Sequence, residues 1–298
     1  MREPLDCAIV GGGPGGLTAA IYLARYRRSA VLLDAGDSRA RWIPESHNCP
    51  GFPSGVGGRD YLARLTVQAR SCGARIESDA ITSIAPTRDG DAFVLTGKQG
   101  EFSARKVILA TGCQDVMPPL AGLEDAVGCG AIRLCPVCDG YEAIDRDIAV
   151  HGPLASAADH AAFIRTFSRR VAVVPTDETD EAETRARLAD AGIAITGVGR
   201  ELSFDGARCS FLVDGDRRPF DVVYSMLGTR QNAGLATSLG AAIDEEGALR
   251  VDRDQRTSVP GLYAIGDVVS ALNQISVATG HAAVAATHVH NALPANPA

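Results

Sequence analysis

Apolar residues in this chain fall in short runs, and most of the runs end at glycine or in a polar turn. Cys7–Val10 (CAIV) leads into a glycine-rich turn, after which Leu17, Ala20, Ile21 and Ala24 recur on one helical face. Ala30–Asp34 (AVLLD) is a second run, ending in an acid. Lys106–Gly112 (KVILATG), Asp147–Val150 (DIAV), Arg170–Val174 (RVAVV) and Leu262–Ile265 (LYAI) repeat the pattern. Runs this short, rich in β-branched residues and separated by helical stretches, predict an α/β fold.

The first turn carries the strongest chemical signal. It reads Gly11-x-Gly13-x-x-Gly16, with Pro14 and Gly15 in the remaining places, and Asp34 stands 18 residues beyond Gly16. In such a turn the first glycine permits the sharp bend, the second admits a pyrophosphate, and the third lets helix and strand pack closely. The helix N-terminus offers free N–H groups to phosphate, and Asp34 is placed to accept from a ribose hydroxyl. Strand, turn, helix, second strand and acid in this order predict a dinucleotide site. Two other runs end in small polar pairs, Thr111-Gly112 and Gly266-Asp267.

Composition narrows the class. The chain has 298 residues, 46% hydrophobic and 22% charged, with a net charge of −7. Without a block of Lys or Arg, nucleic acid is not an expected partner. No apolar run of about 18 residues predicts a membrane span. The opening residues do not read as a secretory signal, so a cytoplasmic setting is expected. Of the eight cysteines, Cys135 and Cys138 form a C-x-x-C pair and the other six are scattered. Such a pair can cycle between dithiol and disulfide. A zinc site is the rival reading, but zinc wants four ligands and only Cys129 lies nearby in sequence.

The pair sits in RLCPVCDGYE. Together with GGGPGG, the loop Asn48–Pro53 (NCPGFP), ATG and the Gly-Asp motif, it resembles the low-molecular-weight thioredoxin reductase family over almost the whole chain. The resemblance implies two Rossmann-like domains, the second inserted in the first: an FAD domain from residues 1–117 and 243–298, and a cysteine-bearing domain from 118–242. It implies that Gly266 and Asp267 hold the ribityl chain and phosphate of FAD, that Thr111 and Gly112 belong to the same site, and that Asn48 contacts the flavin from a loop that also holds His47. By the same resemblance Cys138 exchanges electrons with the flavin, Cys135 meets the substrate sulfur, and Asp139 carries the proton. His281, on the C-terminal helix, falls near the flavin as a proton relay. Relatives of this kind are usually homodimers, and the resemblance implies the same assembly here.

A second dinucleotide turn belongs at Val150–Ala157 (VHGPLASA). Gly152 and Ala157 match its first and last positions, but Leu154 stands at the central glycine. A leucine there is expected to fill the space of the pyrophosphate. After Arg170–Val174 the reductases carry a basic cluster, whereas this chain has Asp177, Glu178 and Asp180. These acids repel a 2′-phosphate, while an acid at this strand end suits the plain ribose of NADH. The C-terminal helix is more similar to relatives without NADPH, especially dithiol oxidases, although those tend to carry His where this chain has Asp139.

The expected function is therefore an FAD-dependent thiol–disulfide oxidoreductase, independent of NADPH, that oxidises a small dithiol with oxygen as acceptor. One alternative is a thioredoxin reductase-type enzyme drawing electrons from NAD(P)H or ferredoxin and passing them to a thioredoxin-like disulfide. The other is a non-catalytic flavin- or zinc-binding regulator. No resident metal is expected, and His288 and His290, two residues apart, point to different helix faces.

Overall fold

A computed structural model describes residues 3–179, 181–269 and 272–297. The chain forms two compact units, one of Met1–Arg41, Gly57–Gln114 and Arg230–Ala298, the other of Trp42–Val56 and Asp115–Thr229. This is the α/β fold expected from the apolar runs, in the two-domain architecture that the family resemblance implies.

The first unit begins with β1 (Leu5–Val10), α1 (Pro14–Arg25) and β2 (Ala30–Asp34). It continues through α2 (Gly58–Ser71), β3 (Arg75–Ser78), β4 (Ile81–Pro86), β5 (Phe93–Gly97) and β6 (Glu101–Leu109). β7 (Cys113–Asp115) carries the chain out.

The second unit holds α3 (Leu123–Gly128), β8 (Ile132–Arg133), α4 (Pro136–Asp139), β9 (Asp147–Gly152), α5 (Leu154–Ile164) and β10 (Arg170–Pro175). After α6 (Ala182–Asp190) and β11 (Ala194–Ile195) come β12 (Arg200–Phe204), β13 (Cys209–Val213), β14 (Asp216–Phe220) and β15 (Val222–Ser225). The return strand β16 (Thr229–Gln231) pairs with β7. α7 (Gly234–Thr237), β17 (Leu262–Ala264) and α8 (Ile275–Asn291) complete the first unit.

In the first unit the sheet runs β3-β2-β1-β6-β5-β4. β5 pairs antiparallel with the start of β6, and β17 pairs parallel with its end, at Val107–Leu109. β1 lies between two parallel neighbours, and Cys7, Ala8 and Ile9 are fully buried, as a strand covered on both faces requires. Leu17, Ala20 and Ile21 of α1 pack with Ala282, Ala285, Ala286 and Val289 of α8 over one face.

The second unit has an all-parallel sheet, β11-β10-β9-β15-β8, and a separate antiparallel sheet, β12-β13-β14. Its βαβ pattern recurs around β9, α5 and β10, with Ala157, Ala158 and Ala161 of the helix against the sheet.

The chain rejoins the first unit at Arg230 rather than at residue 243. Asn232 explains the earlier return, because its N–H donates to Gly112 O at 3.0 Å. Ala233 and Ala236 then enter the core that holds Val107 and Leu109. Trp42–Val56 counts with the second unit, and Ser46 and Val56 bond to each other at 2.8 and 3.0 Å.

Candidate functional site

The glycine turn stands at the carboxyl end of β1. Gly13 caps α1, Pro14 opens it, and Gly15 and Gly16 are buried in its first turn. A β-carbon on Gly16 would lie 1.9 Å from Gly11 O, so only glycine lets the helix come this close to the strand. Gly12, which motif reading leaves unspecified, is as constrained: a β-carbon there would meet the Asp34 carboxylate at 2.1 Å. The Gly12 N–H donates to Asp34 Oδ1 at 3.2 Å, and the Gly36 N–H to the same atom at 2.9 Å. Asp34 is thus tied to the turn through one oxygen.

The turns after β6 and β17 lie at the ends of paired strands. The Thr111 hydroxyl donates to Asn232 O, and Asn232 Nδ2 donates to Thr111 O, both at 2.8 Å. Gly266, with φ +74°, places its N–H 3.4 Å from Nδ1 of His281. Nδ1 must carry the lone pair to accept this bond, so the ring is held neutral, and burial lowers its pKa in the same direction. Asp267 Oδ2 lies 3.4 Å from Arg39 Nη1 and 3.9 Å from Cys113 Sγ. Motif reading misses Asn232, Arg39 and Cys113, because each reaches the turn from a distant part of the chain or carries no motif.

The cysteine pair is in the second unit. Cys135 and Cys138 form a disulfide, with Cα atoms 5.3 Å apart and α4 starting at Pro136. Cys138 N–H donates to Cys135 O at 3.0 Å. Asp139 follows directly. Its Oδ1 accepts from the Tyr224 hydroxyl at 2.9 Å and lies 3.8 Å from Arg133 Nη1. Burial is the largest influence on Asp139 and pushes its carboxyl up to about 6; Arg133 and Tyr224 pull it back down. Tyr224 and Arg133 are additions of the structure. They are partners in the parallel register of β15 and β8, which local sequence does not reveal.

Asn48 lies in the second unit too. Its Nδ2 donates to Val137 O at 3.4 Å, between the two cysteines, and Ser46 Oγ bonds its Oδ1 at 3.0 Å. His47 pairs with Glu45 at 3.1 Å on an exposed loop. His288 bonds Tyr263, and His290 accepts from Arg28, so the two rings serve different neighbours. Among the described residues no cluster of three or more His, Cys, Asp or Glu could hold a metal.

The second dinucleotide turn differs from expectation. Leu154 does not project into the phosphate space. It is 1% exposed and packs among Ile148, Val150, Tyr224 and Met226, because α5 starts at this residue and turns its side chain onto the sheet. What distinguishes the turn is Pro153, exposed and without an N–H. Asp177 and Glu178 are exposed just past β10; Asp180 lies outside the described residues.

Residues 5–282 match the family model described as pyridine nucleotide-disulphide oxidoreductase, and the chain belongs to that family. It is an FAD-dependent disulfide oxidoreductase of thioredoxin reductase-like build. The thioredoxin reductase of Listeria innocua is 30% identical over 298 residues, covering 94% of this chain and 91% of that protein. The crystal structure of HlmI superposes with a TM-score of 0.87 at 28% identity, covering 98% of this chain and 93% of that one. Thioredoxin reductase from Streptococcus pyogenes gives a TM-score of 0.87 at 26% identity, covering 98% of each chain. The first unit fits FAD on its own geometry. The turn before α1 has no side chain where a β-carbon would collide with main chain, and Asp34 is fixed at the end of the adjacent strand.

Proposed function

We propose that the chain is a thioredoxin reductase-like enzyme whose Cys135–Cys138 pair exchanges disulfide for dithiol with a thioredoxin-like protein, Asp139 carrying the proton. The observation that supports this most is the Cys135–Cys138 disulfide directly followed by a carboxyl poised near neutrality. A group with a pKa near the working pH can both hold and release a proton.

The exchange balances within the pair. In the oxidising direction a substrate thiolate bonds to the Cys135 sulfur, the Cys135–Cys138 bond breaks, and Cys138 leaves as thiolate. A second substrate thiol then closes the substrate disulfide and frees Cys135. Two electrons and two protons pass to the pair, and the reverse sequence reduces a protein disulfide. Asp139 accepts a proton from the incoming thiol and returns it to a departing sulfur. When bound, FAD supplies a two-electron store for the pair. Gly11, Gly13, Pro14, Gly15, Gly16, Asp34, Thr111, Gly112, Gly266 and Asp267 would hold it. His281 acts there as a neutral acceptor, and the assignment of Asn48 to the cofactor and of a homodimeric assembly belong to the same proposal.

A second reading is favoured by Pro153 and by the exposed Asp177 and Glu178, where a 2′-phosphate site needs donors and cations. In it the pair oxidises a small dithiol, oxygen takes the two electrons, and hydrogen peroxide forms. Anaerobic addition of NADPH, NADH and a small dithiol, each followed by flavin absorbance, separates the two. Bleaching by a nicotinamide nucleotide, followed by reduction of a thioredoxin-like protein, supports the reductase. Bleaching by dithiol alone, with colour and peroxide returning in air, supports the oxidase and overturns the first reading.

A further inference from the structure

We infer that Tyr224 and Arg133 are positioning residues that hold the Asp139 carboxyl for proton exchange at the Cys135–Cys138 pair; the inference rests on the proton-carrying role proposed above.

Tyr224 is fully buried in an apolar layer with Ile148, Val150 and Leu154. Phenylalanine would fill nearly the same volume. The hydroxyl is the polar atom that needs a partner there: it donates to Asp139 Oδ1 at 2.9 Å, lies 3.2 Å from Asp139 O and also meets the Arg133 side chain. Arg133 is the register partner of Tyr224 on the neighbouring parallel strand, so both side chains leave the sheet on the same face. Its Nη1 donates to Asp139 O at 2.5 Å, while its Nε is anchored on Gly130 O at 3.2 Å. Two donors from adjacent strands thus fix both the main chain and the carboxyl of the residue after Cys138.

The charged and titratable groups that bear on Asp139 are few. Arg133 comes from β8 and Tyr224 from β15, and both favour the carboxylate. Glu142, in the turn after α4, opposes it, and no charged group of α5 acts on it among the described residues. Burial opposes ionisation as well. The two donors therefore keep the carboxyl within reach of neutral pH instead of leaving it permanently protonated.

The test uses the full-length, FAD-loaded protein. The protonated-carboxyl stretching band is followed by infrared difference spectroscopy against pH and assigned by its loss in Asp139→Asn; the kcat limb is recorded in parallel. Tyr224→Phe should raise the midpoint by about one pH unit, since a hydrogen bond to the charged form is lost. Arg133→Met should raise it too, and Glu142→Gln should lower it, which separates a local field from general loosening. The kcat limb should follow, with KM little changed.

If Asp139→Asn abolishes the limb but Tyr224→Phe and Arg133→Met leave both midpoints in place, the positioning role is wrong and the acid role stands. If Asp139→Asn leaves the limb intact, the acid role itself fails. Should Tyr224→Phe not fold, Arg133→Met carries the same test.

Discussion

The Tyr224 hydroxyl lies 2.9 Å from Oδ1 of Asp139, so a fully buried phenol and the carboxyl beside the redox cysteines form one hydrogen-bonded pair. Burial raises both groups above their ordinary values, Asp139 to about 6.

That has a consequence for stability. The native state binds the Asp139 proton more tightly than the unfolded chain, whose carboxyl titrates near 3.8. Stability from this group is therefore present below pH 4 and lost as pH rises through about 6. Asp139→Asn should be more stable than wild type at pH 7.5, by at most about 3 kcal/mol, and the gain should vanish below about pH 4. Urea unfolding at both pH values checks it. A variant equally destabilised at both would contradict the raised carboxyl.

Leu154 gives a prediction opposite to the one its sequence position suggests. As a plug in the phosphate space, its replacement by glycine would open a nucleotide site. As a core residue at 1% exposure, its replacement should only destabilise. Leu154→Ala is expected to cost about 2–5 kcal/mol, and Leu154→Gly more, with no gain in flavin reduction by NADPH. A gain in that rate would restore the plug.

Gly16→Ala should abolish retention of FAD. The added carbon would fall 1.9 Å from Gly11 O, and the turn must open to admit it. The flavin spectrum of the purified variant should be lost while far-UV circular dichroism of the remaining chain persists. Retention of a full complement of flavin would show that the turn does not hold the cofactor.

Legibility in the sequence followed the distance over which each feature is specified. Gly11 to Asp34 was readable because strand, turn, helix and strand lie within one short stretch, where β1, α1 and β2 form. Asn232 was not, because it meets Thr111 only after the chain has left the first unit and returned. Tyr224 reads as one more apolar strand residue until the register of β15 with β8 brings Arg133 and Asp139 to it. Leu154 matched a motif position, but a motif records residue type, and the direction of its side chain depends on where α5 begins. The charge at the end of β10 is visible in sequence, whereas the burial of the leucine is not.

The most direct test of the account is an anaerobic one. A small dithiol is added to the FAD-loaded wild type, to Cys135→Ser and to Cys138→Ser, and the flavin absorbance is followed. Wild type should bleach and both variants should stay yellow. Bleaching of either variant at the wild-type rate would mean that electrons bypass the Cys135–Cys138 pair.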